Sequence, residues 1–265
     1  YPGTLDAAAR PPLQKGVADS RWVQWRLLTD FYRRCRATGV YLNVPDYYYL
    51  AGANKCGMGY REVNWSLPRA QQVLHTRQNI WDGTWEKTPS MGWMFVPLTQ
   101  YHGGGAAATI EPLDEHLDHY ERMLAANLGF GVQACYRGPR LYDTDRTRDA
   151  VRRWVDWFKR YRDILESDLV HGRRADGRDV DWMLHVNPRL ADRGMLVVHN
   201  PLAEQVTRRL RVDLRYTGLR SRARVSPAAL EGEGAPVEYV LDATWPVLEF
   251  EVTVPARGMA AWAIR

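Results

Sequence analysis

The sequence contains little cysteine and no long apolar run. Its 265 residues include three cysteines, Cys35, Cys56 and Cys135, an odd number without metal-binding spacing. They predict neither a disulfide framework nor a cysteine metal site, and they leave the redox compartment open. No apolar stretch is long enough to cross a bilayer, and no segment has the basic start and apolar centre of a signal peptide. We therefore expect no membrane partner, and these features indicate no particular localisation.

The sequence also lacks a dense basic tract. Its net charge of +5 comes from 36 basic and 31 acidic residues. Arginines such as Arg146, Arg148 and Arg152 are scattered at helical spacing, which favours a solvated helix face over a nucleic-acid surface. We expect no nucleic-acid partner.

The first two thirds of the chain show alternating helix and strand patterns. Apolar residues from Trp22 to Cys35 recur at helical spacing, Gly39 is a helix stop, and a short strand is predicted at 40–45. Later segments repeat this pattern, with a strand at 93–98, a helix over 113–128, a strand at 131–135 and a helix capped by Asp145 that runs to Ile164. These are successive β/α units.

After about residue 178 the hydrophobic pattern changes to alternation with a period of two. Strands are predicted at 196–201, 210–214, 237–241 and 248–254, with Pro and Gly turns between them. The sequence therefore predicts an α/β fold in which residues 1–178 form part of a (β/α)8, TIM-type barrel and residues 179–265 a C-terminal antiparallel β-sandwich. A full barrel takes roughly 250 residues. We expect the missing β/α units in the same polypeptide or in another chain. If that other chain is a second copy of this one, the protein is a homo-oligomer.

The segment from Gly39 to Tyr49 is the best candidate for an active-site strand. Apolar and β-prone residues are stopped by Pro45, and Asp46 follows in an aromatic-rich loop. Barrel enzymes keep their chemistry at the carboxyl ends of strands. Asp46 is therefore a candidate catalytic carboxylate, and a simple turn after Pro45 is the alternative interpretation. The Trp, Tyr, Asn and Arg side chains crowded into this and later loops suit a sugar, so we interpret Asp46 as the nucleophile of a glycosidase.

Cleavage of a glycoside requires a second carboxyl group that donates a proton. Glu62 lies near Trp65, where poor solvation would raise its pKa, although Arg61 or Arg69 would hold it equally well as an ion pair. Asp82 and Glu86, in what we interpret as a loop, are the other candidates for the proton donor. Sequence spacing alone does not decide among Glu62, Asp82 and Glu86.

Aromatic and polar side chains in the same predicted loops suit a sugar ring and its hydroxyl groups. The candidate substrate-binding residues are Asn43, Tyr48, Lys55, Arg61, Trp65, Trp85 and His102. The histidines show no metal pattern, and His116 and His119 are interpreted as part of a hydrated helix face. We expect no metal and no cofactor.

Several segments together resemble a known enzyme family. They are Val40 to Asp46, Asn54-Lys55, Gly59 to Glu62, Trp93 to His102 with the glycines that follow, and Leu128 to Val132. With a terminal β-sandwich after them, their order is similar to the C-terminal half of α-galactosidase-type barrels. The resemblance implies that Asp46 is the nucleophile. Related α-N-acetylgalactosaminidase-like barrels pair the Asp with a Glu, which implies Glu62 or Glu86 as its partner.

Two classes of function follow from these residues. The first is a glycoside hydrolase that acts with retention on an α-galactoside-type substrate. The second is a non-catalytic carbohydrate-binding protein, or a scaffold fragment of a larger enzyme. An enzyme needs two carboxylates within reach of one pocket, whereas a binding protein needs only aromatic and amide groups.

Overall fold

A computed structural model describes all of the second half of the chain and parts of the first. The described residues are 26–27, 29–35, 37–40, 58–59, 67–85, 88–89, 92–99 and 105–265. The chain divides into two compact units, Tyr1–Gly59 and Tyr60–Arg265.

In the first unit, residues 29–35 are helical and Met58–Gly59 form a short strand, β1. Gly39 has a φ of +76°, and the Val40 amide donates to the Cys35 carbonyl at 2.8 Å. The predicted helix stop at Gly39 is therefore confirmed. The predicted strand at 40–45 lies outside the described residues, apart from Val40.

The second unit begins with a β/α arrangement. Its helices are α1 (Arg69–Gly83), α2 (Leu117–Leu128) and α3 (Asp145–Leu165), with a 3-10 turn at Gly105–Ala108. Strands β2 (Gly92–Pro97) and β3 (Gln133–Arg137) pair in parallel. The sequence predictions of both strands and of the last two helices are confirmed, because each of these segments carries an apolar pattern of its own.

Two local predictions were wrong. Residues 79–83 form the end of α1 and not a loop after a strand. Four of its six buried residues, Gln72, Thr76, Arg77 and Asn79, are polar, so the apolar stripe of this helix is weak in the sequence. The cap of α3 is Thr144 and not Asp145, because the Thr144 hydroxyl accepts from the Thr147 amide while Thr147 bonds back to the Thr144 amide.

The rest of the unit consists of antiparallel sheets. The strands are β4 (Asp168–Arg173), β5 (Asp181–Val186), β6 (Gly194–His199), β7 (Val206–Asp213), β8 (Arg222–Ala229), β9 (Gly232–Glu233), β10 (Val237–Val240), β11 (Val247–Val254) and β12 (Met259–Ile264). One sheet has the order β10-β8-β12-β6-β5-β4, with β9 beside β8, and β11 pairs with β7 in a second sheet. The larger sheet thus begins ahead of the domain boundary expected at residue 178.

The larger sheet is buried on both faces at its centre. Met195 and Val197 of β6 pack in an apolar cluster with the helices, whereas Leu196 and Val198 pack in a cluster with β7 and β11. The alternation of buried and exposed residues predicted for this strand was therefore wrong, although it is confirmed for β7 and β11. The fold is a mixture of helices and antiparallel sheets, with helices on one face of the central sheet and a two-stranded sheet on the other.

Two further features concern the helices. Within 205–255 the structure contains no helix beyond a 3-10 turn at Arg215–Thr217. None of the helices in the described ranges has the length and apolar character needed to cross a membrane.

Candidate functional site

The parallel strands β2 and β3 end side by side. Pro97 lies opposite Arg137 in the register, and the Leu98 amide donates to the Arg137 carbonyl at 2.9 Å. The Arg137 guanidinium lies over the Phe95 ring, 4.4 Å from its centroid. We call this edge, where the two parallel strands end, the carboxyl edge.

The start of helix α1 is fixed to the segment that follows β2. Arg69 Nη1 donates to the carbonyl oxygens of Ala106 and Thr109 at 2.5 and 2.7 Å. Gln72 Nε2 donates to the Ala108 carbonyl at 2.7 Å. The first turn of α1 is therefore at the carboxyl edge. The helix has 15 residues, so its other end lies about 22 Å away along the helix axis.

The described carboxylates near the carboxyl edge have structural partners. Glu111 forms an ion pair with Arg140 at 3.2 Å. Asp143 accepts from the Leu113 amide at 2.7 Å. Burial raises the pKa of Asp143, but hydrogen bonds from main-chain amides and from Thr147 outweigh burial, and the net pKa is lowered. Asp143 therefore stays ionised and holds the loop, which does not suit a proton donor.

An aromatic platform lies at the opposite end of α1. The Trp85 indole stacks on the His171 ring with centroids 3.8 Å apart and planes at 7°, and Trp81 meets the same ring edge-on at 4.8 Å. The Thr84 hydroxyl lies 2.8 Å from His171 Nε2. Burial lowers the pKa of His171, which favours a neutral ring. Trp85 is 66% exposed, so the indole face turned away from His171 is available to a ligand.

Asp82 lies in the last turn of α1, beside this platform. Arg174 donates to both carboxylate oxygens of Asp82, at 3.0 and 2.9 Å. The pair is bidentate and partly exposed, with side-chain exposures of 45% for Arg174 and 37% for Asp82. Asp82 is therefore held as an ion pair at the end of α1 that is remote from Arg69.

Asp82 and Trp85 are the two predicted site residues that the structure describes. The others lie outside the described residues: Asp46, Glu62, Glu86, Asn43, Tyr48, Lys55, Arg61, Trp65 and His102. The sequence did not indicate the partners of Asp82 and Trp85. Trp85 and its stacking partner His171 are 86 positions apart, and Asp82 and Arg174 are 92 apart, so no local pattern could join them.

Three of the six described histidines, His119, His185 and His199, are buried. His116 Nδ1 lies 2.9 Å from the Ile110 carbonyl. His119 is 4% exposed, and its Nε2 has no hydrogen-bond partner among the described residues. The interpretation of His119 as part of a hydrated face was wrong, because α2 turns this residue into the core. Across the described ranges, no group of three His, Cys, Asp or Glu side chains is arranged to hold a metal ion.

Comparisons with known proteins give structural neighbours but no family. No protein-family model matches the sequence, and no curated protein matches it. Similar solved structures include those of glycoside hydrolases. A Bacteroides fragilis protein assigned as an alpha-galactosidase/melibiase has 15% identity and a TM-score of 0.43, over 73% of this chain and 38% of that one.

Two further structures give comparable values. The alpha-amylase of Geobacillus thermoleovorans, complexed with acarbose, has 10% identity and a TM-score of 0.48, over 91% of this chain and 57% of that one. Alpha-galactosidase I of Mortierella vinacea has 12% identity and a TM-score of 0.37, over 84% and 50%. This chain spans 38% to 57% of the length of the three proteins. At these scores the similarity transfers no site residue to this chain.

Proposed function

We propose that this chain is part of a retaining glycoside hydrolase with an α-galactoside-type substrate, in which Asp46 is the nucleophile and Glu62 the general acid/base. In this proposal β2, β3 and their helices belong to a (β/α)8 barrel, and the antiparallel strands form its C-terminal β-sandwich. Because a barrel takes roughly 250 residues, further β/α units come from the same polypeptide or a partner chain.

The observation that carries the proposal is the anchoring of α1 at the carboxyl edge. The Leu67 carbonyl accepts from Gln72 Nε2 at 2.8 Å, beside the Arg69 contacts that fix the first turn. Glu62 precedes this anchored segment by five positions. Catalytic groups of β/α barrels come from loops at this edge, which supports a role for Glu62.

The same geometry ranks the other two carboxyl candidates lower. Asp82 lies at the far end of α1 and is bound by Arg174. Glu86 directly follows Trp85, four positions after Asp82, so it also belongs to the chain segment that leaves the far end. We therefore place Glu62 ahead of Glu86 and Asp82 as the proton donor.

The chemistry needs no group beyond the two carboxyls. The Asp46 carboxylate attacks the anomeric carbon while Glu62 protonates the departing glycosidic oxygen, which gives a covalent glycosyl ester and a free alcohol. The Glu62 carboxylate then takes a proton from water, and the water oxygen attacks the anomeric carbon and releases Asp46. In the proposal the sugar ring stacks on Trp65, and its hydroxyls bind Asn43, Tyr48, Lys55, Arg61 and His102. Trp85, at the far end of α1, is a weaker candidate for sugar binding than these residues.

The test of the nucleophile uses the full-length protein with aryl α-galactosides and aryl α-N-acetylgalactosaminides. Asp46→Asn keeps the shape of the side chain and removes its charge, so we expect a fall in kcat of roughly a thousandfold or more. Asp82→Asn is the matched control, with kcat expected within a few-fold of wild type. Unchanged turnover in Asp46→Asn would remove the assignment.

The proton donor is tested by varying the leaving group. An acidic nitrophenol departs without protonation, whereas an alkyl alcohol does not. Glu62→Gln should therefore lose far more activity on alkyl than on nitrophenyl glycosides. The same selective loss in Glu86→Gln instead would move the role to Glu86. If wild-type protein binds these sugars without cleaving them, the carbohydrate-binding alternative is favoured, and the exposed Trp85 platform suits that function.

A further inference from the structure

An open groove lies on the antiparallel part of the molecule, between strand β10, the turn that follows it and strand β11. Its volume is about 410 Å³, within the range of small-ligand sites. The side chains that define it are Arg211, Tyr239, Asp242, Trp245, Val247 and Glu249.

Trp245 is an exposed aromatic residue that is nevertheless held in place. The Asp242 carboxylate accepts from the amides of Thr244 and Trp245 at 2.8 and 2.9 Å, which fixes the turn. The Arg215 guanidinium lies 4.4 Å from the centroid of the indole and is itself bound by Asp213. The indole remains 58% exposed. A rigid, exposed ring loses little conformational entropy when a ligand stacks on it.

The walls of the groove combine a second aromatic ring with groups that form hydrogen bonds. The Tyr239 ring packs against Phe250 with centroids 6.0 Å apart. Arg211 and Glu249 form an ion pair at 3.6 Å, and their side chains are 70% and 47% exposed. Glu249 is also paired with Arg209 at 3.2 Å, and these pairs still leave N–H donors on the Arg211 guanidinium and lone pairs on the Glu249 carboxylate for a ligand.

The charges around the groove balance. Three guanidinium groups, those of Arg209, Arg211 and Arg215, lie among three carboxylates. Glu249 pairs with Arg209 and Arg211, Asp213 pairs with Arg215, and Asp242 lines the groove. A site for phosphate or nucleic acid would carry a clear excess of positive charge. The balance favours an uncharged ligand with many hydroxyl groups and one apolar face.

We propose that this groove binds a neutral oligosaccharide, with a sugar ring stacked on Trp245 and its hydroxyls bonded by Arg211 and Glu249. The groove binds without cleaving, because Asp242 caps a turn and Glu249 is paired with arginines. The choice of a saccharide rests on the proposed function, whereas the groove and its charge balance do not. Its role would be to keep a polysaccharide attached to the protein during turnover.

Affinity electrophoresis of the full-length protein in gels with galactomannan, and in parallel with soluble starch, tests the proposal. Wild-type protein should be retarded in at least one gel. Trp245→Ala should weaken this binding by about tenfold or more, and Arg211→Ala by a smaller factor. Tyr216→Ala is the matched control, because Tyr216 is 61% exposed and does not line the groove. Thermal unfolding confirms that each variant is folded.

Three results would overturn the groove proposal. The first is equal retardation of Trp245→Ala and wild type, and the second is no retardation of wild type in either gel. The third is self-association of wild type that Trp245→Ala abolishes, because this would assign the groove to a second copy of the chain. Hydrolysis assays separate this proposal from the previous one. If retardation depends on Trp245 but no glycoside is hydrolysed, only the glycosidase proposal is contradicted. If glycosides are hydrolysed but retardation does not depend on Trp245, only the groove proposal is contradicted.

Discussion

At the scale of single residues, the ion pair between Arg77 and Asp181 is the most deeply buried one among the described residues. Arg77 Nε and Nη2 donate to the two Asp181 oxygens at 2.8 and 2.9 Å. The side chains are only 5% and 2% exposed, and they join helix α1 to strand β5. Removal of one partner would leave the other charge buried without compensation.

We predict that Asp181→Ala lowers the free energy of unfolding by about 3–5 kcal/mol. The matched control is Asp82→Ala, which breaks a bidentate but partly exposed pair with Arg174 and should cost less than about 1 kcal/mol. Urea unfolding followed by tryptophan fluorescence measures both. Equal losses in the two variants would show that burial of the Arg77 pair does not determine its contribution.

At the scale of elements, the turn between α2 and β3 depends on a glycine. Gly131 has a φ of +72°, and a Cβ added there would lie 1.9 Å from the Leu165 carbonyl oxygen at the end of α3. Gly105 has a φ of +59° but no atom within 4 Å of an added Cβ. An L-residue would be strained by the positive φ at both positions, but only at Gly131 would its Cβ also clash with a neighbouring atom.

We predict that Gly105→Ala costs about 1–2 kcal/mol, the usual penalty for a left-handed L-residue. Gly131→Ala should cost clearly more, because the main chain at the end of α3 must also move. The measurement is the shift of the urea midpoint at constant slope. Similar shifts in both variants would mean that the turn adapts freely and that packing against α3 is not limiting.

At the scale of the whole molecule, buried histidines predict sensitivity to acid. Burial, with a smaller effect from Arg122 and Arg69, lowers the pKa of His119 from 6.5 to about 3, and burial lowers that of His185 to about 3. Below pH 6.5 the unfolded chain binds protons that the folded state does not. Stability is therefore fully present above about pH 6.5 and falls as the pH decreases towards 3.

We predict that His119→Leu makes the free energy of unfolding less dependent on pH. Each such histidine contributes a slope of about 1.4 kcal/mol per pH unit between its two pKa values. Urea unfolding at several pH values between 6 and 4 measures this slope, and circular dichroism at pH 7 checks the fold of the variant. A variant with the wild-type slope would contradict the assignment of His119 as a buried neutral group.

The sequence by itself determined those elements whose pattern is local. Strand β2 and helices α2 and α3 carry their own apolar periods, and β7 and β11 alternate as expected because each has one face in the core and one in solvent. Gly39 ends the first helix because its left-handed conformation is a property of the residue itself. The candidate roles of Asp46 and Glu62 also come from the sequence alone.

The tertiary structure alone decided what depends on distant partners. Helix α1 was not predicted from the sequence because most of its buried residues are polar. Arg77 tolerates burial only because Asp181 comes from a strand 104 positions away. Strand β6 is buried on both faces because helices cover one side of its sheet and β7 and β11 the other. The stacking of Trp85 on His171 likewise joins separate elements. Such contacts follow from chain packing, for which hydrophobic periodicity carries no signal.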